Sequence, residues 1–396
     1  MITVEEAKQL LFNQVQKSES VEVNITEAFG CVLSEDIFSP FDLPLFNQSS
    51  MDGYAVAGND TVNHKQFELI GEIKAGDNAS ITLLPGQAVR IFTGAAVPSS
   101  ADAVVIQEKV ERRNGSIFLS EDFNKGAFIR LKGSQIRRGE IALKKDSVLN
   151  PASVGFLASL GVAKVKIYRK PVVSILVTGD EIVLPGNNLQ PGQVYESNSF
   201  SLHAALQQMH IQPKNILRSP DNKNELKARI EKCLADSDIT IITGGISVGE
   251  YDLVQDVLKE LKIETIFYKV AQKPGKPLFA GKIENKLVIA LPGNPASAMV
   301  CFYEYVYPVI RKMRGFEKTT LTNLNLNLLK DIIKKEERSL FIRAKTMNQN
   351  VMPLEGQDSY MLRSFGEADA FIYIPKEIQQ IKKGEPVEVH LLPFEN

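Results

Sequence analysis

Three glycine-rich turns follow directly after predicted strands and give the strongest chemical signal in the sequence. They lie at 178–181, 243–249 and 292–297. In an open α/β sheet the ligand crevice lies outside the carboxyl ends of the strands, where glycines let the backbone approach a ligand and free N–H groups attract anions. One such turn alone is typical of a strand-to-helix connection. Three at one sheet edge favour a phosphate-bearing ligand, although none has the glycine pattern of a Rossmann dinucleotide site or a P-loop.

Carboxylates accompany these turns and indicate a bound cation. Asp180 and Glu181 lie in the first turn, Asp221 follows the next predicted strand, and Asp252 follows the second glycine loop. Carboxylates repel a phosphate unless a cation such as Mg²⁺, which binds both kinds of oxygen, lies between them. The alternative is that these residues cap helices. For Asp252, which precedes a helix predicted over 253–261, both interpretations stay open.

The segment 273–277 (KPGKP) places two lysines on a stiff loop. Its two prolines restrict the backbone on either side of a glycine, so Lys273 and Lys276 lie close together. Lys269 precedes them on a predicted strand. Lysine is a compact point charge suited to oxyanions. A solvated surface turn is the alternative, and the stiffness of the loop favours anion binding.

Two further motifs lie earlier in the chain. Segment 49–55 contains an Asp-Gly pair that begins at Asp52, and segment 92–95 places the hydroxyl of Thr93 beside a glycine at the end of a predicted strand. Taken alone, the first is typical of a β-hairpin and the second of a structural turn.

The elements before residue 171 are short. Thr3 and Glu6 form a capping box that begins a helix predicted over 4–17. Segment 46–140 is rich in turn signals and short strands, and a helix is predicted over 152–160. The clearest of these strands are 88–92 and 103–107.

Strands and helices alternate after residue 171. The predicted strands are 172–177, 214–218, 238–243, 264–269 and 286–291. The predicted helices are 199–209, 225–234, 253–261 and 295–311. This alternation predicts a doubly wound parallel sheet. After residue 315 no helix is predicted, and alternating leucines at 324, 326 and 328 indicate strands of a small all-β domain over 316–396.

Composition excludes several classes of protein. The 396 residues include 46 basic and 47 acidic side chains, for a formal net charge of −1, so a general nucleic-acid-binding protein is not predicted. Three cysteines and four histidines lie without the spacing of a zinc or redox site. The N-terminus is acidic where a signal peptide is basic, and no stretch reaches the roughly 18 apolar residues of a membrane span. We expect a multi-domain cytoplasmic protein that binds neither nucleic acid nor membrane.

The motifs together resemble the molybdopterin molybdenumtransferase (MoeA) family, to which the E domain of gephyrin is related. The resemblance spans nearly the whole chain. The matching segments are SSMDGYAV (49–56), FTGAAVPSSADAVV (92–105), VTGDEI (177–182), GGISVGEYD (244–252), KPGKP (273–277) and LPGNPASA (291–298). The segments at 177–182, 244–252 and 291–298 would also fit the related molybdopterin adenylyltransferases. The segments at 49–56 and 92–105 and the C-terminal β domain distinguish the MoeA family.

The resemblance implies a multi-domain α/β plus β fold. It implies a small discontinuous helical and β domain, an inserted mixed β domain, a doubly wound parallel α/β molybdopterin-binding domain and a C-terminal β-barrel. Their expected bounds are 1–45 with 141–170, 46–140, 171–313 and 316–396. It also implies a homodimer whose active site lies between the α/β domain of one subunit and the β domains of the other. Further candidate partners are a molybdopterin adenylyltransferase and acceptor apoenzymes.

The activity that the resemblance implies is insertion of molybdate into adenylylated molybdopterin, with hydrolysis of the adenylate and release of molybdenum cofactor and AMP. Mg²⁺ would be held by Glu181 and Asp221. Lys273 and Lys276 would hold molybdate beside the dithiolene sulfurs. The candidate catalytic residues are Asp52, Thr93, Glu181, Asp221, Asp252, Lys269, Lys273 and Lys276. The candidate residues for binding the pterin nucleotide are Gly179, Asp180, Gly244, Gly245, Ser247, Gly249, Pro292, Gly293, Asn294, Pro295, Ser297, Arg343 and Ser364.

The sequence departs from the family pattern at two positions. Glu140 stands near the end of the inserted domain where the family usually has aspartate, and Asp358 stands where glycine is more frequent. Two other functions stay open: a molybdopterin adenylyltransferase, which would consume ATP, and a scaffold that binds a partner peptide. The choice between molybdenum and tungsten also stays open.

Overall fold

The chain is described by a computed structural model that covers residues 1–58, 65–78, 80–246 and 253–394. It forms two compact units. Unit 1 comprises Met1–Val21 and Ile167–Asn396, and unit 2 comprises Glu22–Lys166. None of the helices in these described ranges is long and apolar enough to cross a membrane.

The described α-helices are mostly short. They are α1 Val4–Asn13, α2 Pro151–Ser159, α3 Asn198–Gln208, α4 Lys223–Asp236, α5 Leu253–Glu260, α6 Pro295–Cys301, α7 Tyr307–Met313 and α8 Arg363–Glu367. Single 3₁₀ turns lie at Ile25–Glu27 and Gln107–Lys109, and a π-helical turn at Phe302–Val306 joins α6 to α7.

The strands belong to three six-stranded sheets and several two-stranded pairs. Those before residue 171 are β1 Ser20–Asn24, β2 Ile37–Phe38, β3 Gln48–Ser49, β4 Gly53–Ala57, β5 Gln66–Ile73, β6 Gln87–Ile91, β7 Ala103–Ile106, β8 Val110–Arg113, β9 Ser116–Leu119, β10 Ile129–Arg130, β11 Ile141–Leu143 and β12 Lys164–Tyr168. Those after it are β13 Val173–Thr178, β14 Ile182–Val183, β15 Val194–Tyr195, β16 Asn215–Ser219, β17 Ile239–Thr243, β18 Glu264–Tyr268, β19 Gln272–Lys273, β20 Phe279–Ile283, β21 Lys286–Leu291, β22 Thr322–Leu328, β23 Ile332–Ile333, β24 Ser339–Met347, β25 Asn350–Pro353, β26 Ala370–Ile374, β27 Gln380–Ile381 and β28 Pro386–Leu391.

The central sheet of unit 1 has the strand order β16-β13-β17-β21-β20-β18. The first four strands run parallel, which confirms the predicted α/β fold. The strand predicted over 264–269 is present as β18, but its predicted parallel pairing is wrong. β18 pairs antiparallel with β20, a strand that was not predicted, and β20 pairs antiparallel with β21. The short turn between Ile283 and Lys286 leaves no room for a crossover helix, so β20 and β21 form a hairpin.

Helices cover both faces of this sheet because successive strand residues point to opposite sides. In β13, Ile175 packs into a core shared with α3 and α6. The next residue, Leu176, packs into a second core shared with α4 and α5. All six residues of β13 are buried, as expected for a parallel strand covered on both faces. The carboxyl ends of β13, β17 and β21 therefore meet at one edge between the two helical layers.

Helix α1 begins at the predicted capping box. The Thr3 hydroxyl accepts from the Glu6 N–H at 3.1 Å, and the Glu6 carboxylate accepts from the Thr3 N–H at 2.8 Å. The helix ends at Asn13, earlier than predicted. Val15 is still buried, as the helical pattern predicts. Its N–H donates to the Phe12 carbonyl oxygen, three residues back, so the α-helical hydrogen bonding has ended before Val15.

The helix predicted over 295–311 is interrupted by the π turn between α6 and α7. Pro308 lies in the first turn of α7 and has no N–H to donate to the carbonyl of Glu304. A wider turn accommodates this missing bond without ending the helical path.

The C-terminal part of unit 1 is a closed five-stranded barrel in the order β24-β25-β22-β28-β26, with β26 paired back to β24. This confirms the predicted β-barrel. β19 pairs in parallel with the start of β24, with Gln272 opposite Ser339. Helix α8 was not predicted, because five residues are too few for a periodic pattern.

Unit 2 contains a sheet in the order β7-β4-β6-β5-β9-β8. The strands predicted over 88–92 and 103–107 are present as β6 and β7. The hairpin interpretation of the Asp-Gly pair is wrong, since Gly53 begins β4, which pairs with both β6 and β7. A Cβ at Gly53 would lie 2.0 Å from the carbonyl oxygen of Val105, so only glycine fits. The four-domain division stays a prediction.

Candidate active site

A cleft of about 670 Å³ lies at the carboxyl ends of β13, β17 and β21. The three predicted glycine turns meet there. The predicted nucleotide-binding residues of these turns that line the cleft are Gly179, Gly244, Gly245, Pro292, Gly293, Asn294 and Pro295. Of the remaining candidates, Ser247, Gly249 and Asp252 lie outside the described residues.

Two of the turns press against each other and require glycine. Gly244 has φ +88°, and a Cβ there would lie 2.1 Å from the carbonyl oxygen of Thr178. Gly245 has φ +63°, and its Cβ would lie 2.7 Å from Cγ2 of Thr178. Both positions therefore exclude other side chains on grounds of backbone conformation and space.

The predicted carboxylates reach the cleft at different positions. Glu181 and Asp221 both line it. The Thr178 hydroxyl donates to Oδ1 of Asp221 at 2.8 Å and fixes that carboxylate. Asp180 lines a neighbouring depression with Arg218, and its Oδ1 accepts from the Asp221 N–H at 3.0 Å. Asp180 thus supports the backbone beside the cleft.

Six residues of the cleft lie outside the motifs singled out in the sequence: Val194, Tyr195, Glu196, Ser197, Asn198 and Tyr360. Glu196 caps α3, because its Oε1 accepts from the Ser199 N–H at 2.7 Å and its other oxygen from the Ser199 hydroxyl. Asn198 donates from Nδ2 to the Thr243 hydroxyl at 2.7 Å and to a carbonyl oxygen of the third glycine turn at 2.8 Å. A cluster of polar residues just before the helix predicted at 199 was the available hint.

All the charged side chains among the described lining residues are carboxylates: Glu181, Glu196 and Asp221. A phosphate would be repelled there without a cation. Within the described ranges, no cluster of three or more histidine, cysteine or carboxylate side chains has the arrangement of a metal site. Two hard carboxylate donors together with phosphate and water oxygens would nevertheless suit Mg²⁺.

The lysine loop is stiff and partly buried. Pro274 and Gly275 are buried, which contradicts the solvated-turn interpretation. The buried Gln272 side chain donates to both of their carbonyl oxygens, at 3.1 and 3.3 Å. A Cβ at Gly275 would lie 2.4 Å from Sγ of Cys301. The loop is thus held against α6, and its Pro277 lines the cleft.

The three lysines differ in their surroundings, and none lines the cleft itself. Lys273 forms an ion pair with Glu336. The ammonium of Lys269 lies 4.7 Å from the centroid of the Tyr268 ring. Lys276 is half-buried and has no ion pair within the part of the chain that the structure describes. Lys276 also adjoins Pro277, which lines the cleft, so it is the best placed of the three for an anion bound there.

The start of α6 is occupied by a neighbouring loop. The N–H groups of Ala296 and Ser297 both donate to the carbonyl oxygen of Ser359, at 3.1 and 3.3 Å. Asn294 donates from Nδ2 to the Ser359 hydroxyl at 2.9 Å. Ser297 is buried and does not line the cleft. These amides are engaged and do not face a ligand.

Arg343 and Ser364 hold this same loop, which spans 354–362. Arg343 is 1% exposed and donates from Nη2 to the carbonyl oxygens of Gly356 and Asp358, at 2.8 and 3.1 Å. The Ser364 hydroxyl donates to Gly356 at 2.8 Å. Burial lowers the pKa of the Arg343 guanidinium. Asp358 contributes a carbonyl group, which glycine would also supply, so this departure from the family pattern preserves the contact.

Unit 2 brings Asp52 and Thr93 together. Oδ1 of Asp52 accepts from the N–H and the hydroxyl of Thr93, at 2.8 and 2.7 Å. These bonds lower the pKa of the Asp52 carboxyl. Glu140, in the same unit, caps its own turn by accepting from the Arg137 N–H at 2.9 Å.

Comparisons with known proteins agree with this architecture. The sequence matches the family models "MoeA N-terminal region (domain I and II)" over residues 2–161, "Probable molybdopterin binding domain" over 174–312 and "MoeA C-terminal region (domain IV)" over 325–392. It is 34% identical over 402 residues to the molybdopterin molybdenumtransferase of Haemophilus influenzae, covering 100% of this chain and 99% of that protein. It is 38% identical over 330 residues to the Nostoc enzyme of that name, covering 80% and 76%.

Solved structures give the same result. A structure of the molybdopterin biosynthesis MoeA protein from Pyrococcus horikoshii superposes with a TM-score of 0.83 at 33% identity, covering 99% of both chains. The fold and the cleft define a multi-domain α/β protein whose glycine turns converge on one cleft. The chain belongs to the molybdopterin molybdenumtransferase (MoeA) family.

Proposed function

We propose that the protein is a molybdopterin molybdenumtransferase. It inserts molybdate into adenylylated molybdopterin, hydrolyses the adenylate and releases molybdenum cofactor and AMP. The observation that carries the proposal is the cleft, which combines three glycine turns with charged side chains that, among its described lining residues, are all carboxylates. That combination suits a phosphate-bearing ligand that arrives with a cation.

The residues of the cleft have separate roles in this proposal. Glu181 and Asp221 would hold Mg²⁺, which neutralises charge and makes the phosphorus more electrophilic. The glycine turns allow the phosphates to approach the backbone at the sheet edge. Thr178 keeps the Asp221 carboxylate directed by its hydrogen bond. No protein nucleophile is needed, because positioning of the two substrates supplies much of the rate.

Molybdate is assigned to the lysine loop. It is a dianion, and the carboxylates of the cleft would repel it. Lys276 is half-buried on a loop whose last residue, Pro277, lines the cleft. Lys273 would contribute after exchanging its bond to Glu336, and Lys269 adds positive charge. Asp52 and Thr93 act in the same reaction as a preformed hydrogen-bonded pair.

The protein is further proposed to act as a cytoplasmic homodimer of four-domain subunits, with a molybdopterin adenylyltransferase and acceptor apoenzymes as partners. The family relationship supports this organisation. A sedimentation mass close to the 43.9 kDa of one chain at micromolar concentration would contradict the dimer.

The activity is tested by mixing the purified protein with adenylylated molybdopterin, molybdate and Mg²⁺ and measuring AMP. Release of AMP that requires both molybdate and Mg²⁺ is the expected result. An adenylyltransferase would instead consume ATP with molybdopterin, and a scaffold would do neither.

A further inference from the structure

One wall of the cleft carries an aromatic ring that packing does not explain. Tyr195 lines the cleft and is 48% exposed. Its hydroxyl donates to the carbonyl oxygen of Asn187 at 2.8 Å. The ring is therefore held in place while half of its surface stays open to water, a cost that a bound apolar surface would remove.

Tyr195 lies on the strand that pairs with the segment after Glu181, the proposed Mg²⁺ ligand. β15 pairs in parallel with β14, and the Val194 N–H donates to the carbonyl oxygen of Glu181 at 2.9 Å. The Glu196 N–H donates to the carbonyl oxygen of Val183 at 2.8 Å. These bonds hold Tyr195 opposite Val183, two residues after Glu181, and both Tyr195 and Glu181 line the cleft. A ligand whose phosphate lies near Glu181 has its adjoining group within reach of the ring.

A second tyrosine reaches the same cleft from another segment. Tyr360 is 61% exposed, lines the cleft and lies on the loop 354–362. That loop is fixed by Arg343 and Ser364 through Gly356. Both tyrosines are thus on supported backbone with their rings available.

We propose that Tyr195 and Tyr360 bind the planar nitrogen heterocycle of the ligand by stacking, with Tyr195 as the principal contact. The inference rests on the proposed function, whose substrate carries two such rings, pterin and adenine. Aromatic side chains stack on heterocycles because every such ring presents a π face. The aliphatic side chains of Ile182 and Val194, which also line the cleft, extend the apolar surface around the ring.

The test is equilibrium binding of three probes. AMP carries adenine and phosphate, ribose 5-phosphate lacks a ring, and 6-hydroxymethylpterin carries the pterin alone. Tyr195→Ala should lower the affinity for one of the two ring-bearing probes by about tenfold to a hundredfold, the scale of base–aromatic stacking. The affinity for ribose 5-phosphate should stay unchanged. A loss confined to AMP assigns the contact to adenine, and one confined to the pterin assigns it to the pterin.

Matched variants separate stacking from structural damage. Tyr195→Phe keeps the ring and should bind within a few-fold of wild type. Phe200→Ala removes a ring of similar exposure, 53%, that does not line the cleft, and should change nothing. Tyr360→Ala should weaken the same probe as Tyr195→Ala, by a smaller factor.

Two results would overturn the inference: normal affinity of Tyr195→Ala for both ring-bearing probes, or an equal loss for ribose 5-phosphate. Wild-type protein that binds AMP no better than ribose 5-phosphate and does not bind the pterin would also contradict it. Failure of the proposed function has a different signature, which is a wild-type protein that releases no AMP when molybdate is added.

Discussion

The hydroxyl of Thr178 donates to Oδ1 of Asp221 at 2.8 Å across the end of two adjacent parallel strands. Thr178 is buried and ends β13, whereas Asp221 lies just beyond β16. The bond leaves Asp221 on the lining of the cleft with one oxygen already engaged. The carboxylate is therefore presented in a fixed direction before any ligand arrives.

Thr178→Val keeps the shape of this side chain and removes its hydroxyl. We expect the Mg²⁺ concentration for half-maximal AMP release to rise by about tenfold, since a hydrogen bond to a charged group contributes about 1.5–3 kcal/mol. Direct titration with Mg²⁺ should show the same shift. Thr178→Ser should restore most of the affinity.

A second threonine of the same sheet provides the control. Thr240 is buried in β17, and its hydroxyl has no hydrogen-bond partner within the described ranges. Thr240→Val should leave the Mg²⁺ dependence unchanged. An equal Mg²⁺ shift in both valine variants would show that the effect comes from the sheet and not from Asp221.

Glu181 should be needed for chemistry more than for binding. Glu181→Gln removes a charge from the cleft while preserving its shape, and AMP release should fall by about a hundredfold or more, the scale for one well-placed electrostatic group. Affinity for AMP measured without Mg²⁺ should rise or stay equal, because one repulsive carboxylate is gone. Wild-type turnover by this variant would refute the assignment.

The convergence of the glycine turns was predictable from the sequence for a physical reason. Parallel strands end at one edge, so turns after Thr178, Thr243 and Leu291 must meet there. The β14–β15 pair was not predictable, because strands of two residues carry no pattern. Val194 and Tyr195, which form β15 and line the cleft, were missed for that reason.

The resemblance to the family also could not predict what two C-terminal candidates contact. Arg343 and Ser364 are both buried and both bind the carbonyl oxygen of Gly356. Their positions match ligand-binding positions of the family, and in this structure each holds the loop that carries Tyr360. Similarly, the amides at the start of α6 suggested an anion site, and the carbonyl of Ser359 occupies them.

The lysine loop gives a prediction about molybdate. Lys276→Ala should raise the molybdate concentration for half-maximal activity by roughly 10- to 100-fold, as expected for one lost charged contact. Affinity for AMP should stay nearly unchanged. Lys318→Ala, which removes an exposed lysine of the same unit, is the control. A loss of AMP affinity with unchanged molybdate dependence would reverse the assignment of anion to loop.

A buried charged cluster predicts a pH-dependent stability. Nδ1 of His390 lies 2.8 Å from Glu304, and Nε2 lies 3.0 Å from Glu388. Burial lowers the pKa of His390, but the two carboxylates outweigh it and raise the pKa above 6.5. Burial raises the pKa of Glu304, but Lys8 and His390 outweigh it and lower the pKa below 4.5.

The signs of the two shifts define the pH window. The His390 contribution to the free energy of unfolding is complete below pH 6.5 and is lost as pH rises through the higher folded pKa. The Glu304 contribution is present above pH 4.5 and is lost as pH falls through the lower folded pKa. Urea unfolding should therefore show a free energy of unfolding that falls as pH rises above about 6.5. His390→Gln should lack this loss, and an identical pH profile for that variant would contradict the assignment.

The last prediction concerns the hydrogen bonds from Arg343 and Ser364 that hold loop 354–362. Ser364→Ala removes a hydrogen bond to the Gly356 carbonyl at 2.8 Å but leaves that of Arg343. The loop should stay folded and open more often, by about fivefold for a lost bond of about 1 kcal/mol. Amide hydrogen exchange should quicken within the loop and at Ala296, whose N–H donates to Ser359.

Ser364→Ala should also weaken binding of the ring-bearing probe that Tyr195 contacts, because Tyr360 lies on the loosened loop. The Mg²⁺ concentration for half-maximal AMP release should stay constant. Thr346→Val is the matched control, because it removes a partly buried hydroxyl bond of the same barrel, to Asp369 at 2.9 Å, that does not touch the loop. If both variants speed exchange at Ala296 equally, the barrel as a whole has loosened and Ser364 has no separate role. If only Ser364→Ala does so, the loop connects the barrel to the cleft through the Ser359 carbonyl.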